Sequence, residues 1–553
     1  MEKNNNIKYI HLNQKKVYWT LLSLLFIAFG LRVWGISFGL PGIDHGDETE
    51  VVNHAVRFGS GDLNPHRFQY GSLFQYILFV FYGVYFLIGY LLGKFSSVHQ
   101  FAIHFINDPT DFYLIARGLS AFFGTATLVI TYLIGKRVKN DETGLLAALF
   151  LAFSYQHVIH SHYCTVDIAL AFFFTLAVYQ CLILFYHDHL ARYILAGVSI
   201  GLVLATKFNG VFASIAFICA HFLKIDDRNF IRKIVCKKLW VGICSIFIGH
   251  FIACPYFYIE FDNALVEMVQ LRALHASSGF HLGTYLREFS KAYWGIPLGT
   301  LCILGLIRSI ITTDRKILML AFTASAVLCF ASFHRYVEAK YVLYSFPLFA
   351  LFASLLLIEC FARLQKRYLY LIVFLLVLHP IYLIIDWDYH HAKKSITLEA
   401  KEWIEENIPV GSKILLDNVG NAGPKLNNSP QNIHNQYKRA LKHNLQKAEY
   451  LKLKLELSPS IYYNIIQINC SAGFRKDDYQ RYRLWQDVEE IGSPLVYYQE
   501  KGFDYIVVTD RYFSQIAQDF ALIKEFKRGR RGIGIYKVMP IKTKKQLSIA
   551  EED

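Results

Sequence analysis

The sequence predicts an all-α polytopic membrane protein followed by a small soluble α/β domain. Three observations predict it. Of 553 residues, 54% are hydrophobic, 16% aromatic and only 18% charged, and the mean hydropathy of +0.30 is too high for an ordinary soluble chain. Several apolar runs reach the roughly 20 residues that a hydrocarbon layer of about 30 Å requires. Beyond residue 387 those runs stop, and amphipathic and strand-like patterns replace them.

The first run, 17–36, reads as a retained anchor. It is longer than a signal-peptide core, lacks a small-residue cleavage site and follows Lys3, Lys8, Lys15 and Lys16. Further crossings are expected near 111–134, 144–160, 166–186, 193–206, 208–223, 239–257, 293–307, 317–333, 341–360 and 368–387, about eleven in all. The run 72–93 could also span, but a crossing there would move the basic loop at 136–140 to the other side. It is therefore expected to be a re-entrant or juxtamembrane helix, with 94–110 returning along the outer face.

The formal charge of +14 is informative through its placement. KRVKN (136–140), the stretch 224–238, RSIITTDRK (308–316) and ARLQKR (362–367) are the loops richest in Lys and Arg, and with the N-terminus they are expected to be cytoplasmic. Orientation thus accounts for the charge, and no nucleic-acid partner is expected. An odd number of crossings then places the C-terminus outside. The ten cysteines are scattered, with no C-x-x-C pair and no zinc-like spacing, so neither a disulfide framework nor a cysteine-ligated metal is expected.

The membrane domain is assigned to 1–387, with its first outer loop at 37–71, and the soluble domain to 388–540. SITLEAKEWIEENIP reads as an amphipathic helix, KILLD and DYIVVTD as strands, and Pro409 with Gly411 as the first turn between them. The tail 541–553 is expected to be disordered.

With this orientation several ionisable residues gather at the outer face. The first outer loop, GIDHGDETEV, carries Asp44, Asp47, Glu48 and Glu50; Asp167 opens a helix after HSHYCTV; Lys207 lies in ATKFNG; Arg335 and Lys340 lie in HRYVEAKY. Each has a plain explanation. The acids could be a solvated loop and a helix first turn, Lys207 a snorkelling side chain, and Arg335 and Lys340 membrane flanks. Charges of both signs from four separate loops on one side favour a common site, because ionisable groups at a bundle's boundary are costly unless used.

The ordered set of DE in the first outer loop, NPHRFQYGSL, ARGLSAFFGTATLVITYLIGKRV, a VD opening an outer helix, LATKFNG, KYVLYSFP and AKEWIEENIPVGSKILLD resembles the glycosyltransferase family that includes protein O-mannosyltransferases and bacterial aminoarabinose transferases. The resemblance covers most of 17–420. It implies the GT-C membrane fold, a polyprenyl-phosphate sugar donor used at the extracytoplasmic face, and a lipid, glycan or protein acceptor. It also implies a prokaryotic plasma membrane location. Carboxylates could hold a divalent metal against the phosphate, but the basic residues already supply positive charge, so no obligatory cofactor is expected. By the same resemblance Asp47 and Glu48 fall on the family's acidic pair and Asp167 on its second outer acid. Lys207 falls on its "TK" lysine, and Lys340 with Tyr341 on a frequent "RY" pair. Tyr344 replaces the usual proline, YGSL at 70–73 replaces YPSL, and no β-trefoil insert is present; these departures bear on the acceptor.

For such a donor the leaving phosphate needs no proton, so one carboxylate suffices as base toward the acceptor hydroxyl, with inversion at the anomeric carbon. Asp47 is the expected base, with Glu48 orienting it or replacing it. The departing phosphate needs cations, for which Lys207, Arg335, Lys340 and Arg67 are candidates. His66, Tyr70 and Tyr341 are expected to contact substrate, and Asp167 to bind sugar hydroxyls or fix a cation. A transporter or lipid flippase would also hold charges in a bundle, but its site would lie near the midplane between inverted repeats, and no repeat is visible. A non-catalytic scaffold would leave Asp47 dispensable.

Overall fold

The computed structural model describes residues 14–224, 229–275, 279–362, 365–418, 422–457, 459–470, 476–516, 520–529 and 531–538; the expected disordered tail lies outside these. The chain forms two compact units. One comprises Met1–Ile36, Val51–Val84 and Tyr113–His390, the other Ser37–Glu50, Tyr85–Phe112 and His391–Asp553. The sequence boundary at 387 does not anticipate that two earlier segments join the second unit.

Seven helical segments are long and apolar enough to cross a bilayer: Gln14–Val33, Leu73–Leu91, Thr110–Val138, Val166–Tyr186, Phe230–Ala253, Leu343–Cys360 and Lys366–Asn407. Asp141–Ala152 and Tyr155–His162, bent by 60°, add an eighth if they form one broken span. This is fewer than the expected number of full crossings. Leu190–Leu204 and Ile296–Ile310 are 15-residue helices, which rise only about 22 Å at about 1.5 Å per residue. The run at 72–93 is helical, as expected. It is a single helix of spanning length, with Val80, Phe81, Leu87, Ile88 and Leu91 turned outward as on a lipid-facing surface. The amphipathic piece is the next helix, Val98–Asn107, capped by Ser97.

Local chemistry sets the breaks in the first unit. The helix Thr110–Val138 has Asp111 in its first turn and Lys136 and Arg137 in its last, both favourable to the helix dipole. Asn140 then accepts a hydrogen bond from the Thr143 amide and caps the following helix. The helices Leu190–Leu204 and Lys237–Ala253 pack through small residues: a Cβ on Gly197 would lie 2.2 Å from the Gly242 carbonyl oxygen, and one on Gly201 2.5 Å from that of Ile246.

The second unit contains a six-stranded sheet built from β1 (Lys413–Leu416), β2 (Asn464–Ile468), β3 (Val488–Glu489), β4 (Tyr505–Thr509), β5 (Ala521–Arg528) and β6 (Arg531–Lys537), ordered 3-2-1-4-6-5. Strands β1 to β4 pair in parallel, and β6 runs antiparallel to β4 and β5. Period-two alternation sends Ile414 and Leu416 to one core with Ala400, Ile404, Val507 and Ile533, and Leu415 to the other with Ile506, Val508 and Phe503. The helix Ile396–Asn407, capped by Ser395, covers the first of these.

Candidate active site

In the first unit the site begins at Asp167. Thr165 is extended, so the helix Val166–Tyr186 starts at the next residue and Asp167 falls in its first turn, where the helix dipole favours a carboxylate. The Thr165 hydroxyl donates to Asp167 Oδ2 at 3.2 Å. The other oxygen, Oδ1, accepts from Lys207 Nζ at 2.7 Å, and the two side chains are only 5% and 10% exposed. At that burial the pair holds together because neither charge can be left alone.

Lys207 is placed by the turn between Leu190–Leu204 and Phe208–Phe222. Its extended backbone donates to the Val203 carbonyl at 3.0 Å and accepts from the Gly210 amide at 3.0 Å. The loop bearing NPHRFQYGSL presses onto this turn. The Leu73 amide donates to the Ala205 carbonyl at 3.0 Å, and a Cβ on Gly71 would lie 2.1 Å from that same oxygen. Only glycine permits the approach, and the approach sets the Tyr70 ring 5.3 Å from Lys207 Nζ.

The rest of the loop is clamped. Arg57 donates to the Asn64 carbonyl and Asn64 Nδ2 donates to Glu260, both at 2.6 Å, and the Phe68 amide donates to Glu267 at 2.7 Å. His66 has a φ of +52° and its Nε2 lies 2.6 Å from Asp62 Oδ2. That bond, with the Asn64 amide, holds the Asp62 carboxyl below its usual range. His66 thus braces a turn, and Arg67 beside it is half-buried.

HRYVEAKY separates into inward and outward residues. Tyr341 is buried, and the His334 ring stacks on it at 4.2 Å and 13°. Both His334 nitrogens are buried and have no hydrogen-bond partner among the described residues. Burial, then the charges of His275 and Lys207, hold this imidazole down at about 4. It is therefore neutral near neutral pH, with one donor and one acceptor to offer a ligand. Lys340 pairs with Glu338 at 2.9 Å, and with His160 it acts electrostatically on Asp167.

Arg335 does not join this group. Its side chain is exposed and its guanidinium lies 5.7 Å from the Tyr336 ring, while its amide donates to the His275 carbonyl. The turn points position 334 inward and 335 outward, so the histidine passed over in the sequence takes the place expected of the arginine.

In the second unit Asp47 and Glu48 occupy the first turn of the helix Gly46–Arg57, again at the favourable end of the dipole. Glu48 is fully buried and Asp47 half-buried. Asp44 is structural: it accepts from Thr397 Oγ1 at 3.0 Å and packs under Gly39, where a Cβ would come within 2.7 Å of its Cγ. Among the described residues no three His, Cys, Asp or Glu side chains gather as a metal-ion donor set.

A buried ammonium with one carboxylate partner and an aromatic ring beside it retains donors for an anion, while Asp167 retains lone pairs for a hydroxyl. The comparisons agree in kind. Residues 83–265 match the family model described as dolichyl-phosphate-mannose-protein mannosyltransferase. The chain is 26% identical over 255 residues, 43% of its length, to dolichyl-phosphate-mannose--protein mannosyltransferase 1 of Candida albicans, and it spans only 26% of that relative. The crystal structure of ArnT from Cupriavidus metallidurans bound to undecaprenyl phosphate aligns with a TM-score of 0.54 at 11% identity, covering 95% of this chain and 98% of that one. The apo state of ArnT gives 0.53 at 12% identity, covering 94% and 98%. The fold is therefore the GT-C fold, and with its apolar helices the chain is a multi-pass membrane protein.

Proposed function

We propose that the chain is an integral-membrane glycosyltransferase that moves a sugar from a polyprenyl-phosphate donor to a lipid, glycan or protein acceptor at the extracytoplasmic face. The observation that carries this reading is the buried Asp167–Lys207 pair in a chain folded like ArnT over nearly its whole length. The acceptor oxygen attacks the anomeric carbon, the bond from that carbon to the phosphate oxygen breaks with its electrons going to phosphate, and the acceptor proton passes to Asp47. Inversion follows from the single displacement.

Lys207, steered by Asp167, meets the charge that grows on the departing phosphate, with Lys340 and Arg67 as further cations. Tyr70 and Tyr341 give the sugar an aromatic wall. Residues 1–387 carry the chemistry and 388–540 form an outer soluble domain. The N-terminus and the basic loops face the cytoplasm, and the membrane is the plasma membrane of a prokaryote.

Asp47→Asn tests the base with little change in volume. Transfer from a polyprenyl-phosphate sugar by the purified variant is expected to fall by about 10² or more. A wild-type rate would remove Asp47 from that role.

A further inference from the structure

We propose that the second unit carries a binding site for a phosphate- or pyrophosphate-bearing group, formed by Lys425, Lys447 and Lys454 around the ring of Tyr450, with Trp485 at its side. Lys447 and Lys454 stand two turns apart on the helix Lys447–Glu456, and Tyr450 lies between them on the same face. Lys447 Nζ is 3.8 Å from the centre of the Tyr450 ring and 5.5 Å from that of Trp485, and Lys454 Nζ is 5.9 Å from the Tyr450 ring. Lys425 comes to the same phenol from the segment beyond β1. All three lysines are partly buried.

Among the described residues no carboxylate pairs with any of the three. Glu456, on the same helix, is held by His99 at 2.7 Å, and Glu449 is exposed. Asp44 acts on Lys425 electrostatically without forming an ion pair. The charge this leaves is visible in its neighbours. Lys454, then Lys447 and Lys425, bring the Tyr450 phenol down to about 8 against its burial. Burial holds Lys425 and Lys447 below the usual lysine value.

Three partly buried ammonium groups gathered about one phenol repel one another, and the group that relieves them carries two or more negative charges on a compact set of oxygens. A phosphate or pyrophosphate does so, and rotatable ammonium donors suit its tetrahedral oxygens. A single carboxylate would leave most of the repulsion in place.

Lysine reactivity tests the site on the full chain held in discs of phosphatidylcholine. An amine-acylating reagent is applied with inorganic pyrophosphate or with chloride at equal ionic strength, and mass spectrometry reads each lysine. Pyrophosphate is expected to slow acylation of Lys447 and Lys454 by about threefold or more, leaving the exposed Lys438 and Lys442 unchanged. Lys447→Gln is expected to abolish the protection at Lys454, and Lys447→Arg to keep it.

A parallel arm uses discs in which phosphatidic acid replaces part of the phosphatidylcholine. Protection by free pyrophosphate assigns a soluble or glycan-borne phosphate, and protection only by phosphatidic acid assigns a lipid headgroup. No protection in either arm, equal protection at Lys438 and Lys442, or protection unchanged by Lys447→Gln overturns the site. The readout involves no sugar transfer, so its failure is separate from failure of the proposed reaction.

Discussion

Asp167 and Lys207 depend on each other more than on any other residue. Breaking a pair so buried strands the remaining charge, a loss of about 3–5 kcal/mol, whereas removing both charges costs much less. Thermal unfolding in detergent should therefore rank Lys207→Met combined with Asp167→Asn above Asp167→Asn alone. The reverse order would mean that the two side chains are not coupled. His334 links stability to pH. Its folded value of about 4 lies below the unfolded value near 6.5, so the unfolded chain takes up a proton first as pH falls. Stability at this site is whole above about 6.5 and is lost progressively toward about 4. His334→Phe keeps the stack on Tyr341 and removes the titration, so the variant should lose less stability than wild type between about pH 7 and about pH 5. Equal losses would contradict the assignment. The sequence made Asp167 and Lys207 legible because each interrupts an apolar run at its end. It did not separate His334 from Arg335, because the direction of a side chain in a short turn depends on backbone dihedrals that no periodicity encodes.

Elements act here by close approach. The loop that carries Tyr70 reaches Lys207 because Gly71 lets backbone meet the Ala205 carbonyl. Gly71→Ala would place a methyl 2.1 Å from that oxygen and push the loop away. The expected result is a protein that remains helical by circular dichroism yet needs more donor to reach half its maximal transfer rate. Unchanged donor use would mean that Tyr70 has no part in the site. Among the elements, the helix Ile396–Asn407 and strands β1 and β4 follow directly from SITLEAKEWIEEN, KILLD and DYIVVTD, whose patterns are strong and punctuated by Ser395, Pro409 and Gly411. The bend between Asp141–Ala152 and Tyr155–His162 does not, because no proline or glycine stands at the break; Phe153 and Ser154 end one helix and begin the next. The apolar run of Leu73–Leu91 makes both its helix and its length legible in the sequence.

For the whole molecule, composition and apolar runs give the class, and ordered motifs give the fold, because the few buried charges of this chain, such as Asp167 and Lys207, stand where apolar helices begin or end. Grouping of Ser37–Glu50 and Tyr85–Phe112 with the chain beyond His391 was not legible, since it arises from long-range contacts such as Asp44 with Thr397 and His99 with Glu456. Whether this chain discharges a polyprenyl-phosphate sugar, as proposed, is decided by lipid mass spectrometry of the purified protein. Incubated with a polyprenyl-phosphate sugar and an acceptor extract, the wild-type protein is expected to convert the donor to free polyprenyl phosphate, and the Asp47→Asn and Lys207→Met variants to leave it intact. Conversion at equal rates by all three proteins would remove Asp47 and Lys207 from the reaction, and conversion by none of them across hexose and pentose donors would exclude such a donor.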